Sequence, residues 1–335
     1  MRALGKNIAG INLQRHKREL SVAATYAFLL LLLVIFRPVF FEGEFANNCV
    51  SDAPLLVAAI GMTLVIIARH IDISIGAQFS ICAVSSALLS KTGLPMPLVA
   101  LVTIAIGCAM GAFNGAMVAF LNLPSIVVTL GSMAIMQDAL RLVRQGAPVE
   151  DMPAGFQWFG QGQTAGKWLI VLTALVLFAA FAVGMRLLAA GRAIYAVGSD
   201  PEAARLAGIR PKRVVFWVFV LMGALIGVSG LLGAVHLAQV DAKGGQGMEL
   251  AVIAAVVVGG TAVAGGRGTL AGSLFGVLLL GVITPALFFL GGKAYWEKAI
   301  QGGIIILAVA SDALKSMPRS SAPAPAALAA VGRAG

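Results

Sequence analysis

Residues able to do chemistry are scarce in this chain. Its three histidines, His16, His70 and His236, are too few and too scattered for a zinc motif. No GxSxG, CxxC or HExxH run occurs, and Cys49, Cys82 and Cys108 have neither metal nor redox spacing. Cys82 and Cys108 lie in apolar runs and read as small core residues. The glycine-rich run GGTAVAGGRG lacks the GK[ST] ending that would hold phosphates and magnesium. The chain is therefore expected to bind no metal or cofactor and not to hydrolyse ATP by itself.

Asp72 is the exception among the acids. In GMTLVIIARHIDISIGAQFSI it has apolar residues on both sides, and an ionisable group at membrane depth is costly and usually functional. At the start of a helix it would cap exposed N–H groups and favour the positive helix end. A structural cap and a gating or interface role both fit. Asn114, Gln137 and Asp138 also fall within apolar runs. They suit the lining of a polar path and equally suit hydrogen-bonded interior positions.

A second polar feature is GSDPEAARLAGIRPKR, residues 198–213. Gly198 ends one element, Ser199 or Asp200 can cap the next, Pro201 takes its first helical position and Glu202 its first turn. Ala203, Ala204, Leu206 and Ala207 fill the helix, Gly208 terminates it and Pro211 follows. The expected product is a helix of roughly two turns. So short a helix is unstable alone, so either its own membrane domain or a partner's groove must hold it. Ala203, Leu206, Ala207 and Ile209 make a small apolar surface flanked by Arg205 and Arg210. An ordered loop or a helix docked in a soluble partner both satisfy this pattern.

The elements that must position these residues are membrane spans. Of 335 residues 59% are hydrophobic and 11% charged, whereas soluble domains carry about 25% charged residues. The expected fold is all-α, a polytopic membrane protein with about ten spans, near 20–40, 53–70, 72–90, 96–121, 124–142, 168–188, 214–236, 249–264, 268–290 and 296–313. The first is read as a retained span, not a cleaved signal peptide. The 72–90 and 249–264 segments carry polar or glycine breaks and suit broken or partly re-entrant helices. Residues 1–19 form an N-terminal cytoplasmic segment, 20–313 the transmembrane domain and 314–335 a disordered tail.

With the N-terminus inside, sixteen Lys and Arg residues fall inside and eight outside, the expected sign, and both termini become cytoplasmic. This asymmetry accounts for the net charge of +10 without nucleic acid. Residues 41–52 form an acidic outer loop and 144–167 the longest outer loop, suited to a soluble partner or to a surface cap. Gly107, Gly111 and Gly115 recur every four residues, as do Gly268, Gly272 and Gly276, with Gly281 five further on. Such faces allow close helix packing within one subunit, or line a path or subunit interface.

Three stretches in order, at 61–81, 198–209 and 249–276, resemble the permease subunits of bacterial ABC sugar importers, the ribose-type family. The likeness spans roughly 48–313. Members commonly read close to GIDLSVG where this chain has HIDISIG, so His70 replaces a usual glycine while Asp72, Ser74 and Gly76 keep the pattern. The run FFLGGKAYWEKAIQGGIIILAV is similar to the rhamnose and autoinducer-2 branches more than the ribose one.

The resemblance implies a permease lining the path for a monosaccharide or related polyol-like solute in the bacterial inner membrane. It implies a second permease subunit, identical or related, two cytoplasmic ATPase domains that bind the ATP and magnesium, and a periplasmic solute-binding protein. It places the coupling helix at 200–208, comprising Asp200, Pro201, Glu202, Ala203, Ala204, Arg205, Leu206, Ala207 and Gly208, with Glu202, Ala203, Ala204 and Gly208 as its core. The rival class is an autonomous secondary transporter or channel, which would more often show a buried ionisable pair or paired inverted-repeat breaks. A membrane enzyme would need clustered acids, bases or metal ligands.

Overall fold

The computed structural model describes residues 22–28, 31, 44–289, 296, 299–300, 302–303 and 306. The expected segment 1–19, most of the first and tenth spans, and the tail 314–335 lie outside these residues. Ten helices are named in chain order: α1 Glu44–Ile67, α2 Ile75–Ser90, α3 Met96–Ala119, α4 Ser125–Arg144, α5 Gln163–Leu187, α6 Ala189–Ser199, α7 Pro201–Leu206, α8 Pro211–Val235, α9 Met248–Val258 and α10 Leu270–Phe289. A 3-10 turn, Gln157–Gly160, precedes α5. Residues 22–28 are helical as well. Among the described residues the sole β feature is the isolated Val149–Val240 bridge.

Five helices are long and apolar enough to cross a bilayer: 45–67 within α1, and α3, α4, α5 and α8. Helices α2 and α9 are short, as the polar and glycine breaks in their sequences suggest. The helix around 53–70 begins earlier than expected, so residues 44–52, read as outer loop, form its first turns instead. Pro54 favours a first-turn position, yet the helix runs through it. The adjoining Pro54 carbonyl accepts Ser229 Oγ of α8 at 2.7 Å. The outer loop read at 144–167 is also shorter, because Gln163–Lys167 already belong to α5.

Two classes of helix emerge from burial. α1 and α8 form the interior: Val57, Ile66, Phe219 and Ile226 have essentially no exposed surface. α3, α4 and α5 expose large apolar side chains outward, including Leu101, Ile135, Leu142 and Trp168. An outward apolar face of this extent is what a helix surrounded by lipid requires.

The tightest joint is between α3 and α8. A Cβ on Gly107 would overlap the Gly223 carbonyl, one on Gly111 the Phe219 carbonyl, and one on Gly223 the Gly107 carbonyl. The fourfold glycine spacing in α3 therefore brings two backbones into direct contact within the subunit. The second glycine series acts likewise. Gly272 packs on the Gly259 carbonyl and Gly276 on that of Ala255, joining α10 to the α9 region. Gly281 lies against the Asp52 carboxylate of α1.

Candidate functional site

The polar pattern around Asp72 becomes a closed cluster. Asp72, Ser74, Gln78 and Asn114 are all without exposed surface. Helix α1 ends at Ile67, and Arg69 then takes a left-handed turn with φ of 70°, reversing the chain into α2. Asp72 Oδ1 accepts the Ser74 backbone N–H at 2.9 Å and the Ser74 hydroxyl at 2.5 Å. Its Oδ2 accepts Gln78 Nε2 at 3.2 Å, so the carboxylate sits against the start of α2, where the helix dipole favours negative charge.

The same cluster crosses to another helix. Asn114 Nδ2, from α3, donates to Ser74 Oγ at 2.9 Å, and Gln78 Nε2 reaches the same oxygen at 2.7 Å. Ser74 Oγ is thus a hub that gives one proton and receives two. Gln78 Oε1 and Asn114 Oδ1 find no partner among the described residues, so the hub retains two buried, unused acceptors. On its near side, Ile71 N–H donates to Ser125 Oγ at the start of α4 at 3.3 Å. The His70 ring lies 5.9 Å from that of Phe219 in α8.

Gly76 holds a second close approach. A Cβ there would overlap Glu249 Oε2 and the Gly245 carbonyl, so its absence lets the start of α9 reach α2. Asn114 joins the hub, whereas Asp138 stands 73% exposed by side chain and pairs with Arg141 at 3.1 Å; Gln137 is half-buried. Gln78, Glu249 and Ser80 escaped sequence reading. The available signal for Gln78 was an amide four residues after Ser74 in an otherwise small, apolar helix.

The short helix is α7. Asp200 is its N-cap, and Oδ1 accepts the N–H groups of Glu202 at 2.9 Å and Ala203 at 3.1 Å. Pro201 occupies N1. At the other end Gly208 N–H reaches Arg205 O and Ile209 N–H reaches Ala204 O, both at 3.0 Å. With φ of +83° at Gly208, this is the Schellman stop that glycine permits. Glu202 and Arg205 pair at 2.5 Å. The guanidinium hydrogen bonds, then its charge, hold the Glu202 carboxyl below its usual range.

α7 shows two faces. Ala204 is 4% exposed and packs inward, whereas Leu206 is 78% exposed. Ala203 and Ala207 are also exposed. Its root is clamped where α6 ends. A Cβ on Gly198 would overlap the Ile67 carbonyl and come within 2.8 Å of Gly266 N. Gly266 N–H donates to that same Ile67 carbonyl at 2.9 Å, Arg69 Nε donates to Ala264 O at 2.9 Å, and Tyr195 Oη donates to Gly268 O at 2.8 Å. The root of α7, the end of α1 and the α9–α10 loop therefore meet at one point.

Comparison with known proteins is consistent with this architecture. The family described as "Branched-chain amino acid transport system / permease component" matches residues 46–309. The probable ABC transporter permease protein YphD of Escherichia coli K12 is 36% identical over 310 residues, covering 92% of this chain and 93% of that protein. The probable ABC transporter permease protein y4mJ of Sinorhizobium fredii is 32% identical over 311 residues, covering 91% and 92%. The autoinducer 2 import system permease protein LsrC of Salmonella paratyphi B is 33% identical over 252 residues, covering 75% and 73%. No solved structure matches. A bundle of apolar helices with one capped surface helix, matched over 92% of its length by a probable ABC transporter permease, belongs to this permease family and is the non-catalytic membrane component of an ABC transporter.

Proposed function

We propose that this chain is one of two permease subunits of a bacterial inner-membrane importer for a monosaccharide or similar polyol-like solute. α7, with 200–208 as a whole, is its coupling helix. It docks in a cleft of a separate cytoplasmic ATPase, which binds the ATP and magnesium, while a periplasmic solute-binding protein delivers solute to the opposite face. The carrying observation is the construction of α7: both ends are stopped by hydrogen bonds, Ala204 anchors it inward, and Leu206 stands 78% exposed. A capped helix offering one large apolar side chain is a ready-made helix-in-groove ligand.

Basic residues support the orientation. Arg186, Arg192, Arg205, Arg210, Lys212 and Arg213 gather on and around α6 and α7, the arrangement favoured on a cytoplasmic face. In this reading both termini are cytoplasmic and lipid lies against the outward apolar faces of α3, α4 and α5. ATP-driven closure of the ATPase pair moves α7, and the joint at Gly198, Ile67 and Gly266 passes that movement to α1 and the α9–α10 loop, an alternating two-state cycle. Sugar-like solute is preferred because the autoinducer 2 import permease is among the relatives and because of the three motif stretches.

The test is co-expression with candidate ATPase subunits of ABC importers from the same genome. Leu206→Arg is expected to reduce ATPase co-purification and solute uptake by roughly tenfold or more, as loss of an apolar anchor does, while leaving the thermal unfolding of the isolated chain unchanged. Wild-type co-purification and uptake in the Leu206→Arg chain would overturn the coupling role.

A further inference from the structure

The end of the bundle that carries α7 holds a hollow of about 350 Å³. Four parts of the chain close around it: the turn after α1, the end of α3 with the turn that follows, the α6–α7 joint and the start of α8. Valines from α3, α6 and α8 form much of its wall. The polar side chains at its edge can all donate hydrogen bonds. Arg69 and Lys212 bring two cations, His70 an imidazole and Asn122 an amide. Among the described residues no Asp or Glu lines it.

The two cations are not accounted for by their neighbours. Arg69 spends Nε on Ala264 O, and neither Arg69 nor Lys212 has an acidic partner among the described residues. The acids next in sequence to the lining are engaged elsewhere. Asp72 accepts from Ser74 and Gln78, and Asp200 accepts from the N–H groups of Glu202 and Ala203. Lys212 gains nothing from its own helix, because a cation in the first turn of α8 opposes the helix dipole. Like charges set around one apolar-walled hollow repel each other until an anion sits between them.

The surroundings point to the source of that anion. The rings of Phe120 and Phe216 lie 5.3 Å apart, and those of Phe216 and Trp217 5.5 Å apart. Trp217 and Phe120 are exposed, as are Leu121 and Leu123 on either side of Asn122. Exposed aromatic rings of this kind sit at the headgroup level of a bilayer. Lys212 precedes Trp217 by five residues of α8, about 7.5 Å along the helix. The hollow therefore opens where headgroups lie, with leucine side chains beside it for acyl chains to cover. Basic pockets between helices on a cytoplasmic face are sites that anionic headgroups take. The volume is at the low end for ligand sites, enough for a headgroup with its chains left outside.

We propose that this hollow binds the phosphate of an anionic membrane phospholipid, held by Arg69 and Lys212, with His70 and Asn122 donating to its oxygens. Val197 and Pro201 also belong to the lining. The bound headgroup thus rests against the end of α6 and the first residue of α7, and order in α7 follows lipid composition. The inference rests on the reading of this face as cytoplasmic.

The experiment is native mass spectrometry of the full chain in detergent, titrated with phosphatidylglycerol or with phosphatidylcholine. One phosphatidylglycerol should bind roughly tenfold more tightly than phosphatidylcholine. Lys212→Glu should remove that preference. Arg213→Glu makes the same charge change one residue on, outside the lining, and should keep it. Hydrogen exchange of the α7 amides should slow with phosphatidylglycerol in the wild-type chain and not in Lys212→Glu. Thermal unfolding checks that both variants fold. No preference in the wild type, its loss in both variants, or its survival in Lys212→Glu would each overturn the site. Displacement of the lipid by inorganic phosphate would overturn the lipid as its source, and α7 exchange indifferent to bound lipid would overturn the link to α7. Co-purification of the wild-type chain with its ATPase, measured separately, tells whether this face is cytoplasmic.

Discussion

Asn114 Nδ2 donates to Ser74 Oγ at 2.9 Å, joining α3 to the start of α2 across forty positions of sequence. Both side chains are wholly buried, so either one alone leaves a polar group without its partner. Asn114→Ala and Ser74→Ala should each destabilise the chain in detergent. A double-mutant cycle should give a coupling of about 0.6 to 1.7 kcal/mol, the range for hydrogen bonds between membrane helices. Additive effects would show that the bond contributes nothing. Thermal unfolding of the four proteins is the measurement.

Asp72 separates stability from charge. In Asp72→Asn, Oδ1 can still accept the Ser74 N–H and hydroxyl, and a half-turn of the Gln78 amide brings its unpartnered Oε1 to meet the new Nδ2 at the loss of the Gln78 bond to Ser74 Oγ. Asp72→Leu removes every acceptor and leaves Ser74 and Gln78 donors buried, at about 1 to 3 kcal/mol for each unmade bond. The expected order of unfolding temperature is wild type, then Asn close behind, then Leu far below. Uptake lost in the well-folded Asn variant would assign the charge a role in gating; uptake retained would leave Asp72 a cap.

The two stretches differed in how much the sequence could disclose. The ends of α7 were legible because Asp, Pro and Gly act locally, and each bond they make spans five residues or fewer. That Ala204 would face inward and Leu206 outward was not legible, because a six-residue helix has too little periodicity to define a face. The membrane class and the glycine faces followed from apolar length and fourfold spacing. Which helix each face would meet did not, since Gly107 finds Gly223 through topology alone. The first turns of α1 were misplaced because their polar residues and Pro54 imitate a loop followed by a helix start. The cluster partner Gln78 was hidden because one amide in an apolar run carries no motif.

The joint at the root of α7 leaves no room for a methyl group. A Cβ on Gly198 would overlap the Ile67 carbonyl, which already accepts Gly266 N–H. Gly198→Ala should therefore force the backbones apart, costing about 1 to 3 kcal/mol as overpacking does. Gly266→Ala should cost more, because φ of +69° also strains a side chain and Ser199 stands in its way. In a reconstituted transporter Gly198→Ala is expected to keep ATP hydrolysis while losing uptake. Loss of neither would place the transmission route elsewhere.

Acid should loosen α7 through Glu202. Arg205 holds that carboxyl below its usual range, and a depressed carboxylate pKa adds stability that is fully present above the unfolded value of about 4.3 and fades as pH falls through the lowered one. Both side chains are well exposed, so the effect is small. Hydrogen-exchange protection in 201–206, corrected for intrinsic rate, should be flat from about pH 5 upward and fall only in stronger acid. Glu202→Gln should remove that acid limb; a change near neutrality in the wild type would point to a different group.

The N-cap should matter more than the ion pair. Asp200 Oδ1 receives two of the first N–H groups of α7, and a six-residue helix has few other bonds to spare. Asp200→Ala should cost about 0.5 to 2 kcal/mol. In a short helix at the surface the loss should appear locally: faster amide exchange at Ala203, Ala204 and Ala207, with the unfolding temperature of the bundle unchanged. Asp200→Ser and Asp200→Asn keep a side-chain oxygen at the cap and should restore most of the protection. If docking to the ATPase needs α7 preformed, co-purification should follow the same order, with Asp and its two substitutes ahead of Ala. Equal co-purification by all four would mean that the partner's cleft, not the cap, supplies the order in this helix.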